Sequence, residues 1–80
     1  MDTYFFVKSR LLDLLDNRRL SIYALSIKSG VAPSTIKNIL YGKSKNPGIV
    51  TIKILCDGLG ISLFDFFDTD NFQSDEPEDI

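Results

Sequence analysis

Eighty residues allow one domain with a modest helical core. With 44% hydrophobic and 25% charged residues the composition is that of an ordinary globular protein; a single cysteine, Cys56, excludes an internal disulfide framework, and the lack of histidine leaves no zinc set around it. The formal net charge of −2 conceals two blocks of opposite sign: between Asn17 and Cys56 there is no acid, only Arg18, Arg19, Lys28, Lys37, Lys43, Lys45 and Lys53, whereas from Asp68 to Ile80 Asp68, Asp70, Asp75, Glu76, Glu78 and Asp79 stand without a base.

A basic body with an acidic tail is a pattern of polyanion-binding domains, although a merely solvated cationic face gives the same composition. At the start of the chain, Met1 to Lys8 holds Asp2 and the short apolar run Tyr4–Val7. That run is too short for a signal sequence or a membrane span, so a cytoplasmic protein with no membrane association is expected.

The apolar spacing is helical along most of the chain. Val7, Leu11, Leu14 and Leu15 form one stripe and predict a first helix from Tyr4 to Arg18. Ser21 is a good N-cap for a second, Ile22 to Ser29, which Gly30 ends in a left-handed position. Ile36, Ile39 and Leu40 give a buried stripe to a third helix, from about Ala32 to Tyr41, with Pro33 suited to its first turn and Gly42 stopping it. Lys43 to Pro47 reads as a basic loop closed by an Asn46-Pro47 turn. Ile52, Leu55, Cys56 and Leu59 mark a fourth helix, Ile49 to Gly58, with Gly48 as N-cap and Gly60 just beyond its end. Ser62 caps a short fifth, Leu63 to Phe67. After Phe67 the apolar density collapses, which predicts a folded domain over residues 1–67 and an acidic, flexible tail over 68–80.

The second and third helices, joined by Ser29-Gly30-Val31, have the form of a helix-turn-helix, with Ser26 small enough for a close helix contact. A generic helix pair would share that local pattern. The longer run Leu20-Ser21-x-x-x-Leu25-Ser26-x-x-x-Gly30-Val31-Ala32-x-Ser34-Thr35-Ile36 resembles the Cro-like, or XRE, family of bacterial and phage regulators. The resemblance continues through Asn46-Pro47, Thr51-Ile52, Leu59-Gly60-Ile61-Ser62-Leu63 and Phe66-Phe67, and so covers about Leu11 to Phe67. It implies an all-α, compact five-helix, lambda-repressor-like domain that binds a double-stranded DNA operator as a transcriptional regulator, a repressor, with its third helix in the major groove.

Under that resemblance Pro33, Ser34, Thr35, Lys37 and Asn38 are the base-reading positions. Asn38 leads, because its amide pairs bidentately with an adenine edge; Lys37 reaches a guanine or a phosphate. Phosphate contacts are expected from the N–H groups around Ser21 and Ile22, from the hydroxyls of Tyr23 and Tyr41, and from Lys43, Ser44, Lys45 and Asn46. Two departures stand out. Ile22 replaces the glutamine that the family often places first in the second helix. Ala32 replaces a serine cap, which leaves open whether Ser34 caps a shorter third helix.

Other motifs fail. Gly42-Lys43-Ser44 lacks the glycine that a P-loop needs at position 37, where lysine stands, and a helix precedes it. Asp68-x-Asp70 with Asp79 departs from a calcium loop at Phe72 and Gln73. No nucleophile has a base beside it, so neither enzyme activity nor a cofactor is expected. No small-molecule effector is expected. Two-fold operators call for a homodimer, at least on DNA. Its surface would be Tyr4, Phe5 and Phe6, or Phe64, Phe66, Phe67 and Phe72, with Phe64 and Phe67 expected rather to close the core. The alternative function is a helix-turn-helix that binds protein, as an antitoxin or adaptor does.

Overall fold

The computed structural model describes residues 3–42 and 46–70. They form five helices: α1 (Thr3–Arg18), α2 (Ile22–Ser29), α3 (Pro33–Leu40), α4 (Ile49–Leu59) and α5 (Leu63–Phe67). The expected loop residues Lys43, Ser44 and Lys45, and the acidic segment beyond Asp70, lie outside the described residues.

Local capping accounts for most of the boundaries. The hydroxyls of Ser21 and Ser62 accept the N–H of Ala24 and Asp65, at 3.0 and 2.9 Å. At the other ends, three helices stop on a left-handed residue. The Gly30 N–H (φ 77°) donates to Ser26 O at 2.8 Å. Gly60 (φ 74°) carries the paired bonds of a Schellman turn, its own N–H to Asp57 O and that of Ile61 to Cys56 O. α1 ends in the same way on Arg19 (φ 53°), a residue with a Cβ where glycine is the usual choice.

One core joins all five helices. Val7, Leu11, Leu14 and Leu15 of α1 meet Leu25 of α2, Ile36, Ile39 and Leu40 of α3, Leu55, Cys56 and Leu59 of α4, and Phe66 of α5. α2 packs most extensively on α4, and α3 rests on α1 and α2. The α2–α4 approach is closest at Gly58, where a Cβ would stand 2.8 Å from Ser29 Cβ and 3.0 Å from its Cα. Gly58 sits inside α4 despite its poor helix propensity because nothing larger fits there.

Candidate nucleic-acid interface

The helix-turn-helix is fixed by its turn. The Ser29 hydroxyl donates to Leu25 O at 2.7 Å and accepts the Val31 N–H at 3.2 Å, so one side chain ties the end of α2 to the turn. Gly30 then redirects the chain. Val31, half-buried, packs against the core, and Pro33 opens α3.

The entrance of α3 settles the question that Ala32 raised. Ala32 is the N-cap and offers no side-chain bond, but its carbonyl accepts the N–H groups of Thr35 and Ile36 at 3.0 and 3.2 Å. The helix therefore begins at Pro33, and the shorter helix capped by Ser34 does not form. Ser34 stands within the first turn, its hydroxyl not spent on a cap. Tyr41 is the C-cap rather than the last helical residue.

Ser34, Lys37, Asn38 and Tyr41 fall at i, i+3, i+4 and i+7 and line one open, shallow concavity on the outer side of the helix. Thr35 is exposed beside them and Pro33 is half-buried. The four residues join a hydroxyl, an ammonium, an amide and a phenol, each able to meet a base edge or a phosphate oxygen. No acid occurs on α2 or α3, while Lys28 and Lys37 are exposed.

The expected phosphate contacts fare unevenly. Tyr23 and Tyr41 are each 66% exposed, so their hydroxyls are accessible; Asn46 is exposed too. The Ser21 hydroxyl is engaged by Ala24 N–H. The Ile22 side chain is half-buried and packs on the core, so what this position offers an anion is its backbone N–H, which precedes the first intrahelical bond, Leu25 N–H to Ser21 O. Lys43, Ser44 and Lys45 lie outside the described residues. Lys53, counted in the basic block, is paired with Asp57 one turn along α4.

Two side chains that support the interface had no signature in the sequence. Tyr4, expected on an aromatic dimer surface, is half-buried, and its hydroxyl donates to Ile39 O at 3.0 Å, holding the C-terminal end of α3 to α1. Arg10 donates from Nε to Phe66 O at 2.8 Å and from Nη2 to Asp65 O at 2.9 Å, closing the last turn of α5. Its guanidinium also sits 5.9 Å from the Phe66 ring centroid. Both acceptors are main-chain carbonyls, which every residue type provides.

The aromatic residues divide differently from expectation. Phe6 and Phe66 are buried and Phe67 packs against them, whereas Phe64, expected to close the core, is 72% exposed. A five-residue helix with three phenylalanines does not declare its phase, and Arg10 and Phe6 select Phe66 as the inward one. Phe5 is exposed and Phe72 lies outside the described residues. Burial, then the Asp57 carboxylate, push the Cys56 thiol up from its ordinary range, so it stays protonated and packs as a small apolar group. Among the described residues no helix is long and apolar enough to cross a membrane.

A family model described as the Cro/C1-type HTH DNA-binding domain matches residues 10–71. Among solved structures the chain is similar to the prophage Lp1 protein 11, with 36% sequence identity and a TM-score of 0.75, over 86% of this chain and 91% of that one. No curated protein matches the chain.

Proposed function

From the premise that the chain belongs to the Cro/C1-type helix-turn-helix DNA-binding family, we propose that it is a transcriptional repressor that binds a short double-stranded operator as a homodimer, with α3 in the major groove. The observation that carries this reading is the division of α3. Ile36, Ile39 and Leu40 are 0–1% exposed and fix the helix rigidly, while Ser34, Lys37, Asn38 and Tyr41 form an acid-free outward face. Asn38 reads an adenine edge, Lys37 a guanine edge or a phosphate, and Ser34 either, with Thr35 and Pro33 in apolar contact with the groove. The backbone N–H groups of Ile22 and Tyr23, the phenols of Tyr23 and Tyr41, and Lys43, Ser44, Lys45 and Asn46 hold the phosphates on either side.

A dimer places two copies of α3 about one helical turn apart, roughly 34–36 Å, which sets the half-site spacing. It draws support from Phe64, a large apolar side chain that α5 leaves 72% exposed. Selection from random duplexes with the purified protein tests both points. The expected result is a two-fold motif whose binding weakens with salt at a log–log slope of about −0.9 per neutralised phosphate. Absence of duplex binding at ~50 mM salt, where non-specific affinity is strongest, ends the DNA reading in favour of a protein-binding module. A mass that stays monomeric at micromolar concentration, with and without duplex, ends the dimer.

A further inference from the structure

The described chain ends just past α5, which packs against the start of α1. At the end of α5 the Phe67 ring stacks on Phe6 with centroids 5.8 Å apart, and Phe66 meets Phe6 edge-on at 6.4 Å. Two residues earlier on α1, Tyr4 is bonded to Ile39 O near the end of α3. The ends of α5 and α3 are thus fastened to the same first turns of α1, and a helix is ~10–12 Å across.

Ten residues follow Asp70, among them Asp75, Glu76, Glu78 and Asp79 and no base. Fully extended they reach about 33–36 Å at ~3.3–3.6 Å per residue; as a relaxed chain they span about 16–19 Å. α3 itself, eight residues, is about 12 Å long. Near full extension the segment is long enough to carry Glu78 and Asp79 past α1 and along α3.

The charges favour that destination. Lys53 is paired with Asp57, Arg10 is held by the carbonyls of Asp65 and Phe66, and the exposed Arg18 and Arg19 stand at the opposite end of α1 from the Tyr4 and Phe6 contacts. Lys37 and Lys28 of the helix-turn-helix are exposed in a stretch without acids.

We propose that the outward face of α3 has a second occupant within the same chain: the acidic segment from Asp75 to Asp79 lies with Glu78 and Asp79 against Lys37 and its neighbours and competes with DNA for them. A tether this short gives a local concentration in the millimolar range, so a weak contact is enough. Because tail and duplex exclude one another, the contact lowers affinity for every duplex by the same factor. The protein then spends less time on random DNA while its preference among sequences is unchanged. The competition rests on the DNA-reading role proposed for α3; the contact does not.

The test is a variant of the eighty-residue chain carrying Asp75→Asn, Glu76→Gln, Glu78→Gln and Asp79→Asn, all beyond the described residues. Without DNA, at ~50 mM salt, the backbone amide resonances of Ser34 to Asn38 are compared with those of the unaltered chain. Binding to the selected operator and to a random duplex is then measured at low and high salt. The expected result is shifted α3 amides and a several-fold gain in affinity, equal for both duplexes and lost at high salt. A gain with unmoved amides would mean long-range repulsion and overturns the contact. Shifted amides with unchanged affinity overturn the competition. If neither protein binds any duplex, the reading of α3 as DNA-binding fails, while the amide comparison still decides whether the acids lie on it.

Discussion

α3 turns Ile36, Ile39 and Leu40 into the core and presents Ser34, Lys37, Asn38 and, at its C-cap, Tyr41 to solvent. The inward residues are all aliphatic and rest on α1 and α2; the outward ones are all polar or amphipathic, and none of the described elements covers them. The two sets interleave within eight residues, so nothing but helical phase separates the buried side chains from the proposed reading face. An inward substitution should therefore act through folding on every property alike. An outward one should change what is bound and leave the fold as it was.

The largest expected effect is on the inward side. Ile36→Ala removes a fully buried side chain from the middle of the core and should cost about 2–5 kcal/mol of stability. For a domain whose whole stability is on the order of 5–15 kcal/mol, that is a large share. Urea unfolding measures it, and operator affinity corrected for the folded fraction should be unchanged. On the outward side, Asn38→Ala should leave the urea midpoint nearly where it was. It should weaken the best operator by about 1–3 kcal/mol and relax preference at one base pair. Equal losses on every duplex would remove Asn38 from the list of base readers and break the division between the two faces.

A smaller effect tests whether close packing, rather than propensity, governs the scaffold behind α3. Helix propensity alone says that Gly58→Ala stabilises α4 by about 1 kcal/mol. The new methyl would stand 2.8 Å from Ser29 Cβ and 3.0 Å from Ser29 Cα, and backbone cannot swing aside as the tip of a long side chain can. Overpacking of about 1–3 kcal/mol outweighs the propensity gain, leaving a net loss near 1 kcal/mol. A raised melting temperature would show that the α2–α4 seam yields.

Gly58 also marks how far the sequence could be read. The helix ends were legible because caps are local: Ser21, Gly30, Gly60 and Ser62 each act within a few residues of where they stand. The two faces of α3 were legible because Ile36, Ile39 and Leu40 repeat at helical spacing. The contacts that hold those pieces together were not. Ser29 and Gly58 meet across 29 positions (58 − 29), Tyr4 and Ile39 across 35, and Arg10 and Phe66 across 56. In the last two pairs the acceptor is a carbonyl, which leaves no trace in residue type. The inward choice of Phe66 over Phe64 depended on one of those same contacts.

The smallest effect concerns the end of α1. Arg19 (φ 53°) occupies the position that Gly30 and Gly60 hold at the ends of α2 and α4. Its N–H donates to Asp16 O at 3.1 Å and that of Leu20 to Leu15 O at 2.9 Å, the bonds of a Schellman turn. A Cβ at this φ crowds the neighbouring carbonyl, a strain of about 1–2 kcal/mol that glycine lacks. Glycine in turn loses more entropy on folding, by about 0.5–1 kcal/mol. Arg19→Gly should therefore stabilise the domain by about 0.5–1 kcal/mol, read as a rise in the urea midpoint. The same change removes one exposed cation from the acid-free stretch, so affinity for random duplex should fall slightly at low salt. Stability and binding would then move in opposite directions, from a residue outside α3 altogether. If the midpoint falls instead, the Arg19 side chain contributes more through its contacts than its backbone costs, and the end of α1 is not strained in the way its φ implies.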